Sequence, residues 1–261
     1  MAHRLHIDDL RVTLGDGERR FSLRTGTWSV AGGEVVGLSG PSGTGKTLLL
    51  EVLGLLRAPD SGGYRAAPAE GGTGPAHDFA GYWRSPRAQA LCAAARAGFF
   101  GYVPQSGGLL PFLTVAENVA VTQRIAGRPD AAWQAELLHR LGLEEVAHLH
   151  PGPLSIGQRQ RVAIARALAH RPFCVIADEP TAALDPENAH SALSLLIGAA
   201  RAGGSATILS SHDAPALARF AMRRMTLAAA SDPDSPRHVI STLTEAAPHA
   251  PDTAPIPQEA P

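Results

Sequence analysis

Val35-Val36-Gly37-Leu38-Ser39-Gly40-Pro41-Ser42-Gly43-Thr44-Gly45-Lys46-Thr47-Leu48-Leu49-Leu50 is the stretch on which the fold turns. Residues 34–39 form an apolar run with two adjacent valines, the pattern of a buried strand, and Leu48 to Leu53 reads as a helix. Between them, Gly40 to Thr47 matches the phosphate-binding loop pattern G-x-x-x-x-G-K-S/T in full. Glycines let successive backbone N–H groups face one anion, and a helix that starts there adds the positive end of its dipole. Gly40, Pro41, Ser42, Gly43, Thr44, Gly45, Lys46 and Thr47 are therefore candidate nucleotide-binding residues. Lys46 would reach the β- and γ-phosphates, and the Thr47 hydroxyl suits Mg²⁺. A glycine-rich turn before any helix would explain the glycines alone; strand, loop, lysine and helix in that order require more.

Lys46 is also the only lysine in the chain, against 22 arginines among 23 basic residues. The 261 residues allow one or two domains, and two cysteines are too few for a disulfide scaffold. A formal net charge of −1 advertises no nucleic-acid partner. No apolar run is long enough for a membrane span, and MAHRLHIDDL lacks the apolar centre of a signal peptide, so a cytoplasmic protein is expected. Two segments read as soft. Residues 66–77, AAPAEGGTGPAH, suggest a surface-loop insertion, and 244–261, rich in proline and alanine, a disordered tail after a folded unit over 1–243.

The rest alternates strand and helix patterns, the signature of an α/β fold with a largely parallel sheet. Phe173 to Ala177 reads as a strand ending in Asp178-Glu179, and Ala206 to Ser210 as one ending in Ser211-His212. Polar residues at the carboxyl ends of such strands lie where open α/β sheets bind ligands. Asp178 could hold a Mg²⁺-bound water, and Glu179 could orient or deprotonate an attacking water. A solvated turn before Pro180 is the plain reading of the same two acids. Of 11 histidines, only His212 ends a strand on the rim that carries the other candidates.

Leu154-Ser155-Ile156-Gly157-Gln158 precedes a helical pattern with apolar residues at Val162, Ala165 and Leu168, and Ser155 suits its N-cap. This segment resembles the LSGGQ signature of ABC-transporter ATPases. The order of the remaining motifs resembles that family across about 5–243: the phosphate loop, Gln105 in Tyr102-Val103-Pro104-Gln105, the signature, Asp178-Glu179, Ala183-Leu184-Asp185 and His212. The resemblance implies a P-loop NTPase fold with a RecA-like, mostly parallel sheet core, an antiparallel β-subdomain and a helical subdomain inserted at about 106–165. It implies an ATPase working as a head-to-tail homodimer. Each ATP and Mg²⁺ would be held by Lys46, Thr47, Gln105 and Asp178 of one copy and by Ser155, Gly157 and Gln158 of the other. In that scheme Glu179, His212 and Gln105 are catalytic, Thr47, Gln105 and Asp178 are metal ligands, and Asp185 lies at the nucleotide-bearing dimer interface.

Three departures from the family pattern stand out. Ile156 replaces the first signature glycine. Leu14 falls where an aromatic usually stacks on adenine, with Phe21 the nearest downstream aromatic. Lys46 to Gln105 spans 59 residues, and the 66–77 segment is expected to account for the excess. The resemblance implies that a chain without a membrane span works with separate permease subunits, and so a place on the cytoplasmic face of the membrane is expected. Gln105 to Val119, with Leu109, Leu110, Phe112 and Leu113, resembles the docking stretch of the lipoprotein-releasing and macrolide-export type. The function implied is the ATP-hydrolysing motor of a transporter; the alternative is a non-transport ATPase acting mechanically through a membrane partner, as in cell division.

Overall fold

The computed structural model describes residues 3–15, 17–68 and 76–246. Strands β1 (His3–Gly15), β2 (Arg20–Arg24) and β3 (Thr27–Ala31) come first, and β4 (Val35–Ser39) delivers the glycine loop into α1 (Lys46–Leu53). Next are β5 (Ser61–Pro68), β6 (His77–Asp78), α2 (Phe79–Tyr82), α3 (Ala88–Phe99) and β7 (Phe100–Val103). A helical stretch follows with α4 (Val115–Ile125), α5 (Ala131–Arg140) and α6 (Ile156–Leu168). Alternation resumes with β8 (Cys174–Ala177), α7 (Pro186–Ala202), β9 (Ala206–Ser210) and α8 (Ala214–Ala218), and a hairpin of β10 (Arg223–Asp232) and β11 (Ser235–Glu245) ends the described chain.

All these strands share one sheet in the order β6-β5-β1-β2-β11-β10-β4-β9-β8-β7, with β3 attached to β1. The run β10-β4-β9-β8-β7 is parallel throughout. Strands β8 and β9 are buried along their whole length, as parallel strands covered on both faces must be, which is why they read as unbroken apolar runs. Strand β11 is antiparallel to β10 and parallel to β2, and β2 is antiparallel to β1. The expected parallel core and antiparallel subdomain are thus two halves of a continuous sheet, joined by the C-terminal hairpin. One core lies beneath β1, β3, β5 and α1, where Leu49, Leu50 and Leu53 are fully buried; the other lies among α4 to α7. Each fully buried leucine stabilises the fold by about 1.5–3 kcal/mol.

Three boundaries move. Thr244 and Glu245, expected in the tail, still pair with Thr226 and Met225 of β10, because the ladder outlasts the apolar residues; the tail beyond lies outside the described residues. Ala66, Ala67 and Pro68 finish β5 against β1, and His77 pairs with Ala66, so both ends of the expected loop are strand; residues 69–75 lie outside the described residues. The expected end of the helical subdomain at about 165 falls inside α6, which runs to Leu168 as its apolar spacing has it, with Ala165, Ala167 and Leu168 buried.

The helical layer rests on the sheet at Gly101 of β7. A Cβ there would collide with the backbone carbonyl of Ala167 on α6, which cannot move aside as a side chain would. Gly101→Ala is expected to lower unfolding free energy by about 3 kcal/mol, through overpacking against fixed backbone. Urea denaturation measures this, and a loss below about 1 kcal/mol would show that α6 can shift freely.

Candidate active site

The loop after β4 needs its glycines for different reasons. A Cβ at Gly40 (φ 144°) would stand 2.5 Å from the Leu227 carbonyl oxygen and 3.0 Å from Thr44 Oγ1. Gly45, at φ 92°, is left-handed. Thr44 Oγ1 donates to the Pro41 carbonyl at 2.9 Å, and Ser241 Oγ of β11 donates to the Thr44 carbonyl at 2.6 Å, bracing the loop from the hairpin. Gly45 offers no side-chain cap to α1, which leaves first-turn N–H groups available to an anion. Lys46 is only 6% exposed, and its Nζ donates to the carbonyls of Gly40 (2.8 Å) and Pro41 (3.2 Å). Ser42, Gly43 and Thr47 are exposed.

Strands β8 and β9 bring the next residues to the same rim. Glu179 Oε1 lies 3.7 Å from Lys46 Nζ, and its Oε2 lies 3.4 Å from His212 Nδ1. One carboxylate therefore sits between the loop lysine and the histidine, residues 133 and 33 positions away in sequence respectively. Asp178 is buried; its N–H donates to the Val103 carbonyl at 2.9 Å, and its Oδ1 accepts from Ser210 Oγ at 2.8 Å. The oxygens available here, the Thr47 hydroxyl and the Asp178 carboxylate, are hard donors of the kind Mg²⁺ takes. Tyr102 of β7 has its phenol pushed up to about 12, first by burial and then by the carboxylates of Asp178 and Glu51.

Other predicted residues stand apart from this cluster. Gln105 begins the turn after β7 with its side chain exposed, and among the described residues no hydrogen bond or ion pair ties it to Asp178, Glu179 or Lys46. Ser155 caps α6: its Oγ accepts from the Gln158 N–H at 3.1 Å, and Gln158 Oε1 accepts from the Ser155 N–H at 2.9 Å. The Gln158 carbonyl oxygen is thereby engaged inside its own helix start. Gly157 lies in the first turn, where a Cβ would meet open space, and Ile156 beside it is half exposed at 52%. Asp185 caps α7, and the Asn188 backbone N–H holds its carboxyl below the usual aspartate range.

The sequence names Leu14 and Phe21 without relating them in space, and it misses Ser210, Ser241 and Asn118. Leu14 pairs directly with Phe21 across β1 and β2, so the two share a face, and the Phe21 ring lies 3.0 Å from a Cβ placed on Gly45. Both line a cavity of about 880 Å³ with Arg20, Pro236 and Val239. Ser210 and Ser241 come from strands distant in sequence and carry no local motif. Asn118, fully buried on α4, bonds Leu110 through both its N–H and its carbonyl and also bonds the carbonyls of Leu113 and Thr114, shaping the turn that leaves Phe112 71% exposed.

Comparison with known proteins follows the same lines. A family model described as ABC transporter matches residues 23–182. The lipoprotein-releasing system ATP-binding protein LolD 1 of Rhodospirillum rubrum is 40% identical over 227 residues, covering 85% of this chain and 94% of that protein. The macrolide export ATP-binding/permease protein MacB 1 of Aeromonas hydrophila is 38% identical over 213 residues, 80% of this chain but 31% of its own length. Among solved structures, the ATP-binding cassette MJ0796 in a dimeric post-hydrolysis state bound to ADP and Pi is similar with a TM-score of 0.70 and 29% identity, over 90% of this chain and 96% of that one. No described helix is long and apolar enough to cross a membrane. With its loop, strand-end acids and signature helix in the family order, this chain belongs to the ABC transporter family.

Proposed function

We propose that the chain is the ATP-binding and ATP-hydrolysing motor subunit of a membrane ABC transporter, working as a homodimer on a separate permease. The observation that carries this reading is the Glu179 carboxylate held between Lys46 and His212, one residue after Asp178. Relatives named for lipoprotein release and macrolide export support transport over the cell-division-like alternative. Location on the cytoplasmic face of the membrane, through the permease, belongs to the same proposal.

Each residue then has a task. Lys46 exchanges its loop carbonyls and Glu179 for phosphate oxygens. Glu179, released from Lys46, accepts a hydrogen bond from water and takes its proton as the water oxygen attacks the γ-phosphorus; the bridging P–O bond breaks, yielding ADP and phosphate. His212 keeps the Glu179 carboxylate turned toward that water. Thr47, Asp178 and Gln105 would hold Mg²⁺, which when bound neutralises charge on the β- and γ-phosphates. Ser155, Gly157 and the free end of Gln158 face the nucleotide of the second copy; among the described residues the hydrogen bonds of Ser155 and Gln158 at this helix start are to each other. Asp185 sits at the same interface. Phe112 and the half-buried Leu109 and Leu110 present the apolar contact for the permease.

Base recognition moves to Phe21. Because Phe21 shares a face with Leu14, lines the same cavity and sets its ring against Gly45 of the loop, it supplies the aromatic surface that position 14 lacks. A stacked base contributes about 1–3 kcal/mol, so Phe21→Ala is expected to raise the ATP dissociation constant about 5- to 150-fold and to weaken GTP in parallel. Calorimetric titration with both nucleotides checks this; unchanged ATP affinity would remove Phe21 from the base site. The transporter reading itself is tested by affinity purification from detergent-solubilised membranes. Recovery of a polytopic membrane protein that raises the ATPase rate is expected, and recovery of soluble proteins alone would reject the proposal.

A further inference from the structure

Ser210 is the last residue of β9 and is fully buried. Its hydroxyl donates to Asp178 Oδ1 at 2.8 Å and accepts from the Glu179 backbone N–H at 2.8 Å. The direction of both bonds follows from chemistry: an N–H can only donate, so the single hydroxyl proton points to the carboxylate. One side chain thus grips two adjacent residues of β8's end from the neighbouring strand.

Both grips fix something that would otherwise be free. A carboxylate on a strand end can rotate about its terminal torsion, but Oδ1 of Asp178 is tied to Ser210 while the residue's backbone N–H is tied to Val103 of β7. The second oxygen makes no hydrogen bond among the described residues. Glu179 has φ 44°, a left-handed conformation that side chains disfavour and that persists where the surroundings hold it. Its N–H bond to Ser210 is one such hold. Neither burial nor strand geometry asks for serine at position 210, since a buried parallel strand favours valine or isoleucine. The hydroxyl is explained by what it binds.

We infer that Ser210 is a positioning residue for the hydrolytic site, orienting the Asp178 carboxylate toward Mg²⁺ and fixing the Glu179 peptide through one hydroxyl. This rests on the assignment of Asp178 and Glu179 proposed above. It predicts that metal dependence and nucleotide affinity separate on substitution, because the Ser210 hydroxyl bonds Asp178 and Glu179 and, among the described residues, no residue of the phosphate loop.

The test is a titration of the full chain with a fluorescent trinitrophenyl-ATP, in EDTA and then with increasing Mg²⁺. Ser210→Ala is expected to bind the nucleotide in EDTA within about two-fold of the wild type, yet to need about ten-fold more Mg²⁺ for half-saturation, the effect of losing one hydrogen bond to a charged group. Ser210→Thr, which keeps the hydroxyl, should restore Mg²⁺ dependence to near the wild-type value. An unchanged Mg²⁺ requirement in folded Ser210→Ala overturns the inference. If that variant does not fold, Ser210→Cys, a weaker donor of similar size, carries the test: a smaller rise in the same direction supports the role and no rise rejects it. Nucleotide binding by the wild type that ignores Mg²⁺ altogether would instead reject the parent assignment of Asp178, and this inference with it.

Discussion

Glu179→Gln is expected to bind ATP with wild-type affinity or better while losing steady-state hydrolysis by about 10²–10⁴-fold, the range of a general base. The amide keeps the shape of the carboxylate and can still accept a hydrogen bond from water, but it cannot take a proton at neutral pH. Binding survives because the proposed phosphate contacts come from the loop and Lys46, and it improves because the substitution removes a negative charge that lies 3.7 Å from Lys46 Nζ. With closure driven by ATP and no route to hydrolysis, the variant should accumulate as a dimer in ATP and Mg²⁺. Phosphate release measures the first effect and size-exclusion chromatography with ATP the second. Hydrolysis within ten-fold of wild type would transfer the base to another residue, and His212 would be the next to substitute, since its Nδ1 is the other group facing Glu179.

The parts of this site that can be read from the sequence are those whose chemistry is local. The glycine loop is legible because a strand, a turn with left-handed backbone and a helix start must be contiguous, and Val35 to Leu53 writes all three in order. Asp178-Glu179 and His212 are legible because parallel strands are unbroken apolar runs whose polar ends fall on one rim. Ser155 can be placed as a cap from its position before a periodic helix, and the capping box with Gln158 is present. What stays hidden depends on register between distant strands. Phe21 becomes a base-site candidate only because Leu14 lies opposite it, and Ser241 braces Thr44 only because β11 pairs with β2 and β10. Ser210 reads as one more residue of a strand until β8 is beside β9. The end of the sheet is hidden for a related reason: Thr244 and Glu245 stay ordered through ladder bonds to β10, which composition does not record.

Lys46→Arg is expected to be nearly as damaging as Lys46→Ala, with ATP affinity falling about 10²-fold or more in both. Hydrogen bonds to charged groups contribute about 1.5–3 kcal/mol each, so losing contacts to two phosphates gives at least that factor. Arginine keeps the charge, and 22 arginines occupy every other basic position in the chain, so compositional bias alone would favour it here too. The geometry forbids it. The Lys46 ammonium is 6% exposed, folded back to the carbonyls of Gly40 and Pro41, while Phe21 and Leu23 crowd the adjoining Gly45 so closely that a methyl group on its Cα would lie 3.0–3.1 Å from them. A compact ammonium on a flexible stem turns within that space; a planar five-donor guanidinium needs a wide fork that the loop does not offer. Burial adds a second consequence. As the only lysine, Lys46 is the only side-chain target for an amine reagent, and its slow labelling in the folded chain should slow further with saturating ATP. Calorimetric titration of the two variants, beside thermal melts showing that both remain folded, decides the matter. If Lys46→Arg bound ATP within about five-fold of wild type while Lys46→Ala did not, charge alone would suffice at this position, and the single lysine would cease to be evidence for the shape of the phosphate site.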